Sequence, residues 1–215
     1  MARLLKVLFF CLLVKPLVLV VLGLNVSRRD RLPAKGPAVI AANHNSHLDA
    51  LVLMSLFPLS QIHRIRPVAA ADYFLRNRWI SWFSRTCIGI IPLDRSAKHG
   101  RDELFSGCLQ ALDQGDVLII FPEGSRGEPE KMGQIRKGVF YLLKDRPHIP
   151  LIPVVMHGLG RSLPRGEALL VPFNCDVAIG GPLQWGETPA HGMHSLSEAF
   201  DSLLQICPTF CKVVE

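Results

Sequence analysis

Residues 43–49 read Asn-His-Asn-Ser-His-Leu-Asp and lie between the apolar runs AVIAA and ALVLMSLF. Three kinds of chemistry suit two histidines and an aspartate at this spacing. They could ligate a metal through His44, His47 and Asp49, the donor set of a metal-dependent phosphoesterase. A catalytic metal, however, wants three or more protein ligands with partners behind them, and the other histidines, at 63, 99, 148, 157, 191 and 194, offer no paired ligand spacing. The segment could instead start a helix, because Ser46 and Asp49 form an S-x-x-D variant of the capping box ahead of an apolar run. The third option is a catalytic pair, His44 as general base and Asp49 as its orienting carboxylate. On a regular helix residues 44 and 49 would point about 140° apart, at roughly 100° per residue. If the helix begins near Ser46, His44 lies outside it and the chain can fold back to let Asp49 reach the ring. His47 then reads as a helix-start residue.

Basic and acidic residues recur where other apolar runs end. Asp94-Arg95 follows IGIIPL, and Pro122-Glu123-Gly124-Ser125-Arg126-Gly127 follows DVLIIF. Glycines at a strand end let backbone N–H groups approach an anion closely. Arginine suits a phosphate because it can donate two bonds at once. Glu123 could orient an arginine or accept a hydrogen bond from a substrate hydroxyl. The GQIRKG stretch at 133–138 lacks the Lys-Ser/Thr of a P-loop, and no G-x-S-x-G nucleophile elbow exists, which argues against a serine hydrolase.

The elements that must hold these residues alternate. PAVIAAN, PVAAA, IGIIPL, DVLIIF, IPLIPVVM and VAIGGPL read as strands. DALVLMSLF, DYFLRNRWISWFSR from Asp72, RDELFSGCLQALDQG ending at Gly115, KGVFYLLKD and SLSEAFDSLLQI read as helices. Nearly all-apolar strands bounded by helices predict a single α/β domain with a largely parallel or mixed central sheet flanked by helices. Ligands of such sheets bind beyond the carboxyl ends of the strands, where the residues above fall.

The chain of 215 residues suits one domain with a full core. Residues 31–215 are assigned to it and residues 1–30 to an N-terminal membrane-associated helical segment. Residues 4–24, LLKVLFFCLLVKPLVLVVLGL, are apolar but interrupted by Lys15 and Pro16. A mid-bilayer lysine costs roughly 3 kcal/mol, so two short helices lying in one leaflet suit the segment better than a kinked span. Lys15 and the lack of an A-x-A site speak against a signal peptide. Arg3 and Lys6 before the segment, and Arg28, Arg29, Arg31 and Lys35 after it, predict a seat on anionic lipid at the cytoplasmic face. Tyr73, Phe74, Trp79, Trp82 and Phe83 with Arg76, Arg78 and Arg85 have an interfacial composition, the alternative being that the rings pack in the core. The net charge of +6 suits an anionic partner, and the absence of a block of like charge turns that partner away from nucleic acid. Six scattered cysteines without a CxxC pair read as reduced thiols.

Four motifs in order resemble the 1-acyl-glycerol-3-phosphate acyltransferases and their relatives, which also acylate other lysophospholipids and glycerol 3-phosphate. They are His44-x4-Asp49, Gly89-Ile-Ile-Pro-Leu-Asp-Arg95, Phe121-Pro-Glu-Gly-Ser-Arg126 and Ile152-Pro153-Val154; Ile135-Arg-Lys-Gly-Val-Phe140 resembles the helix start that trails the third. The resemblance covers about residues 36–182. It departs at Pro92, where a bulky apolar residue is usual, and at Gly127, where serine is common. It implies transfer of a fatty acyl group from acyl-coenzyme A or acyl carrier protein, as substrate and with no cofactor, to a lysophospholipid hydroxyl. His44 and Asp49 would be catalytic. Gly89, Arg95, Glu123, Gly124, Arg126 and Pro153 would line the acceptor site, the two arginines on its phosphate. 1-Acyl-glycerol 3-phosphate, giving phosphatidate, is the expected acceptor, and another lysolipid the alternative. A non-catalytic lipid-binding protein on the same scaffold would not need both His44 and Asp49.

Overall fold

The computed structural model describes residues 2–20, 22–46, 48–71, 77–94, 101–125, 130–162, 174–184 and 188–214. Seven strands form one sheet: β1 (Gly23–Ser27), β2 (Ala38–Ala42), β3 (Ile65–Ala70), β4 (Ile91–Leu93), β5 (Val117–Ile120), β6 (Leu151–His157) and β7 (Asn174–Ile179). Their order is β1-β7-β6-β2-β5-β3-β4. All neighbours are parallel except β6 and β7, so the sheet is mixed.

Strand β2 lies at the centre, and all five of its side chains are fully buried. Alternation sends Ala38, Ile40 and Ala42 to one face and Val39 and Ala41 to the other. The first face is covered by the N-terminal helices α1 (Ala2–Phe9) and α2 (Lys15–Val20) and by α3 (Asp49–Ser55). The second is covered by α5 (Arg101–Asp113), α6 (Gly138–Leu143) and α8 (Pro189–Leu204). The chain leaving β2 therefore turns to one face through α3, and the chain leaving the adjacent β5 turns to the other through α6. Loops that part in this way open a crevice at the carboxyl edge. Three shorter helices complete the set: α4 (Arg78–Phe83), α7 (Leu159–Ser162) and α9 (Pro208–Val214).

The N-terminal segment differs from expectation in three respects. Its helices are joined by a π-helical turn over Phe10–Val14 rather than broken at Lys15. Lys6, Phe10, Val14, Val18 and Leu22 are buried at intervals of four. An α-helix would rotate that stripe by about 40° per step, and the wider π turn keeps it facing the sheet. Lys6 does not flank the segment in solvent: it is 3% exposed and donates to the Ile65 carbonyl at 2.8 Å. Finally, Gly23–Ser27, expected to belong with the membrane segment, pairs with β7 as an edge strand. Among the described residues no helix is long and apolar enough to cross a membrane.

Elsewhere the described part of the helix expected from Asp72 begins at Arg78, with Asn77 as its cap and extended at φ −130°. Asp72–Arg76 lie outside the described residues. Trp79 and Trp82 are 80% and 53% exposed, so these rings do not pack in the core. The late helix starts earlier than expected, at Pro189, because Thr188 Oγ1 caps it by accepting the His191 N–H. All six cysteines are free thiols, four of them buried.

Candidate active site

The site grows from the end of β2. Asn43 is buried and uses its side-chain amide as a substitute for a strand: Oδ1 accepts the Met156 N–H at 2.7 Å and Nδ2 donates to the Met156 carbonyl at 2.8 Å. Asn45 Nδ2 donates to the same carbonyl at 3.1 Å. These bonds tie both sides of His44 to β6 and leave the histidine in non-helical backbone.

Asp49 opens α3 and is fully buried. Its Oδ2 accepts the backbone N–H groups of Asn45 at 2.7 Å and Ser46 at 2.8 Å, and lies 2.8 Å from His44 Nδ1. The helix is capped at Leu48, without a side-chain bond, rather than at Ser46 as expected. The serine hydroxyl accepts from Leu48 N–H at 3.3 Å, and the serine N–H goes to Asp49. The backbone donors of the turn therefore place the aspartate, and the aspartate holds the ring. Burial pushes the Asp49 carboxyl above its ordinary range, opposed by the hydrogen bond from His44, the charge of that ring and the two backbone donors. With the carboxylate facing it, Nδ1 carries the proton and Nε2 presents a lone pair.

The ring of His44 is clamped on its face by Phe121, which stacks at 4.1 Å between centroids and 20° between planes. Its backbone N–H donates to Glu123 Oε1 at 3.0 Å. Glu123 Oε2 accepts the Gly133 N–H at 3.1 Å, and the Glu123 carbonyl accepts Arg136 Nε at 3.0 Å. The carboxylate is 4% exposed, and burial raises its pKa while the His44 and Gly133 N–H groups oppose the shift. Glu123 is thus a brace beneath the histidine, with each oxygen already holding a backbone donor, rather than an open acceptor for a substrate hydroxyl. Gly124 has φ +78°, and a Cβ there would lie 3.1 Å from Arg136 Cδ and Nε. The arginine packs where only glycine leaves room.

The other expected site residues separate. Arg95, Arg126 and His47 lie outside the described residues. Pro153 is within β6, opposite Ala41, with Gly180 packed on its ring, so it sits inside the sheet below the site. Gly89 is not at this edge. The second motif runs the length of β4: Arg95 follows the strand, whereas Gly89 precedes it, at the amino edge. There its carbonyl accepts Arg66 Nε at 2.7 Å, and its φ of +80° and missing Cβ admit Lys6 Nζ. Asn43, Phe121 and Arg136 were not identified as site supports from sequence. Asn43 and Phe121 stand within the quoted motifs without a role, and Arg136, two residues before Gly138, belongs to the basic helix start that trails the third motif.

Residues 23–157, from β1 to the end of β6, match the acyltransferase family. The chain belongs to that family. Among its relatives, a chloroplastic 1-acyl-sn-glycerol-3-phosphate acyltransferase of Arabidopsis thaliana is 27% identical over 162 residues, 74% of this chain and 43% of that protein. The 1-acyl-sn-glycerol-3-phosphate acyltransferase alpha of Mus musculus is 29% identical over 174 residues, 78% of this chain and 58% of that protein. The chain thus spans about half the length of these curated relatives. In fold it is similar to the 1-acyl-sn-glycerophosphate acyltransferase PlsC of Thermotoga maritima, with a TM-score of 0.70 at 17% identity, covering 86% of this chain and 72% of that one. Membership of the acyltransferase family lends no support to the metal-dependent phosphoesterase.

Proposed function

We propose that this protein moves a fatty acyl group from a thioester to the free hydroxyl of 1-acyl-glycerol 3-phosphate, giving phosphatidate. The observation that carries the reading is the His44 ring held at 2.8 Å by a buried aspartate whose contacting oxygen is itself fixed by two backbone N–H groups. His44 Nε2 takes the proton of the acceptor hydroxyl as its oxygen attacks the thioester carbonyl. A C–O bond forms, and the tetrahedral intermediate collapses with loss of the C–S bond. The imidazolium, stabilised by Asp49, returns the proton to the departing thiolate. No protein nucleophile is needed, because the substrate supplies the hydroxyl. Such a base is worth about 10²–10⁴ in rate, and positioning of the acceptor supplies more. That positioning falls to Arg95 and Arg126 on the phosphate.

The acceptor is a lipid, and the exposed apolar surface supports membrane seating. Leu12, Leu19 and Val20 on the N-terminal helices and Trp79 and Trp82 on α4 are all more than half exposed. The Phe9 and Phe83 rings meet edge to face at 5.1 Å and join the two sets. In this reading the surface lies in one leaflet of the cytoplasmic face, where acyl-coenzyme A or acyl carrier protein brings the donor.

The test is a panel of lysolipid acceptors and glycerol 3-phosphate with both thioester donors, products identified by mass spectrometry. Phosphatidate from 1-acyl-glycerol 3-phosphate, undiminished by a chelator, is the expected result. Preferential acylation of another lysolipid would reassign the acceptor. Absence of transfer to every acceptor would overturn the reading.

A further inference from the structure

We propose that the amino edge of the sheet carries a second, non-catalytic binding site, a basic crevice that holds a phosphate group through Lys35 and Arg64. It lies at the opposite end of the strands from His44, about 17 Å away along the five residues of β2. The site is independent of the reaction proposed above.

Three parallel strands start side by side there, β5 between β2 and β3. The segments that enter them are Lys35-Gly36 before β2, the 3-10 turn Ile62–Arg64 before β3 and Gly115 before β5. Together they surround a crevice of about 380 Å³, near the lower end of the range for small-molecule sites. Two glycines bring the entries together. A Cβ on Gly36 would collide with the Gly115 carbonyl, and Gly115, at φ +76°, has Arg64 Nη1 3.4 Å from where its own Cβ would stand. Arg64 Nη1 donates to the Gln114 carbonyl at 3.2 Å. That bond fixes the guanidinium, and its other N–H groups have no partner among the described residues.

The charge around the crevice is one-sided. Lys35 and Arg64 line it with Ser60, Gln61 and His63, and no carboxylate does. Lys35 has no partner among the described residues. The neighbouring acid, Asp116, is buried and faces Arg66 at 3.7 Å. Burial, then the charges of Arg3 and Arg64, hold the His63 imidazole below its ordinary pKa, with Asp116 opposing and Lys6 adding to them. Three cations therefore act on this ring against one carboxylate. His63 Nδ1 is also buried without a hydrogen-bond partner. Buried polar atoms are nearly always paired, and a phosphate oxygen beside His63 would supply the missing partner. The same group would offset the charges of Lys35 and Arg64, and its remaining oxygens would accept from the Ser60 hydroxyl and the Gln61 amide. The helix α1 packs on the Ile62–Arg64 turn and exposes Leu4 and Leu8. A lipid head group and a soluble phosphate compound present the same chemistry to this crevice.

The test follows the His63 ring resonance of the full chain in detergent micelles, assigned by its loss in His63→Gln, as inorganic phosphate is added at constant ionic strength. A saturable shift is expected. Lys35→Gln/Arg64→Gln should weaken the apparent affinity about tenfold or more. Lys15→Gln/Lys144→Gln removes the same charge elsewhere and should change it less than about twofold. If the Arg64 substitution unfolds the protein, Lys35→Gln alone, at an exposed residue, is read against Lys144→Gln in the same way. Absence of a saturable shift, or an affinity no weaker in the crevice variants than in their charge controls, overturns the site. Pelleting with phosphatidylcholine vesicles that contain phosphatidate then separates the two sources. A loss confined to Lys35→Gln/Arg64→Gln assigns the phosphate to a lipid head group, and equal pelleting assigns it to a soluble compound.

Discussion

His44 Nδ1 and Asp49 Oδ2 lie 2.8 Å apart across the turn between β2 and α3, the aspartate side chain fully buried and the histidine side chain 21% exposed. The two residues are brought together by backbone donors from the residues between them, so the pair is built before any substrate arrives. Asp49→Asn keeps the size of the side chain and removes the charge that selects the ring tautomer and stabilises the imidazolium. Acyl transfer at saturating substrates should fall about 10³-fold. Circular dichroism should show the fold retained, and activity within a few-fold of wild type would contradict the role.

Glu123→Gln probes the brace. Glutamine offers one acceptor where the His44 and Gly133 N–H groups require two, and its amide turns a donor toward a donor. A buried donor left unpaired costs about 1–3 kcal/mol. Urea titration should show a loss of that size, and transfer should fall with it because the His44 backbone is released. Unchanged stability would mean that the brace carries nothing.

Trp79→Ser and Trp82→Ser test the proposed membrane seat. Both rings are exposed, so neither change should lower the melting temperature by more than a degree or so. Each lost ring removes about 1.5–3 kcal/mol of apolar transfer. Sedimentation with anionic vesicles should weaken about tenfold or more per substitution. Equal binding by the double variant would place the membrane contact elsewhere.

Lys6 gives a pH dependence. Burial, then the Arg66 charge, lowers its pKa from 10.5 to about 7, with Asp116 opposing. Between these values the unfolded chain holds a proton that the folded chain lacks, so stability rises with pH across that window. Below about 7 the full cost of the buried charge is present. Lys6→Met removes the charge, and its melting temperature should gain on wild type more at pH 6 than at pH 9, by about 5 °C. The lost bond to the Ile65 carbonyl affects both pH values alike. A constant difference would show that Lys6 does not titrate in this range.

What sequence could reveal depended on whether an interaction is local. His44 and Asp49 were legible as a pair because they share one turn between a strand and a helix, and the six central and late strands were legible because nearly unbroken apolar runs mark a sheet covered on both faces. Strand β1 was missed because Gly-Leu-Asn-Val-Ser lacks that signature and gains its partner only from β7, about 150 residues later in the chain. Gly89 was misplaced because a motif that spans a strand has its two ends at opposite edges of the sheet. The basic flank hid a buried lysine, since nothing near Lys6 in sequence announces the Ile65 carbonyl.

The most direct test of the central claim is transfer by His44→Ala, assayed with 1-acyl-glycerol 3-phosphate and a thioester donor and quantified as phosphatidate by mass spectrometry, alongside a melting curve. With the fold intact, the variant should lose about 10³-fold or more of kcat. A folded His44→Ala protein that still makes phosphatidate at a substantial fraction of the wild-type rate would contradict the account.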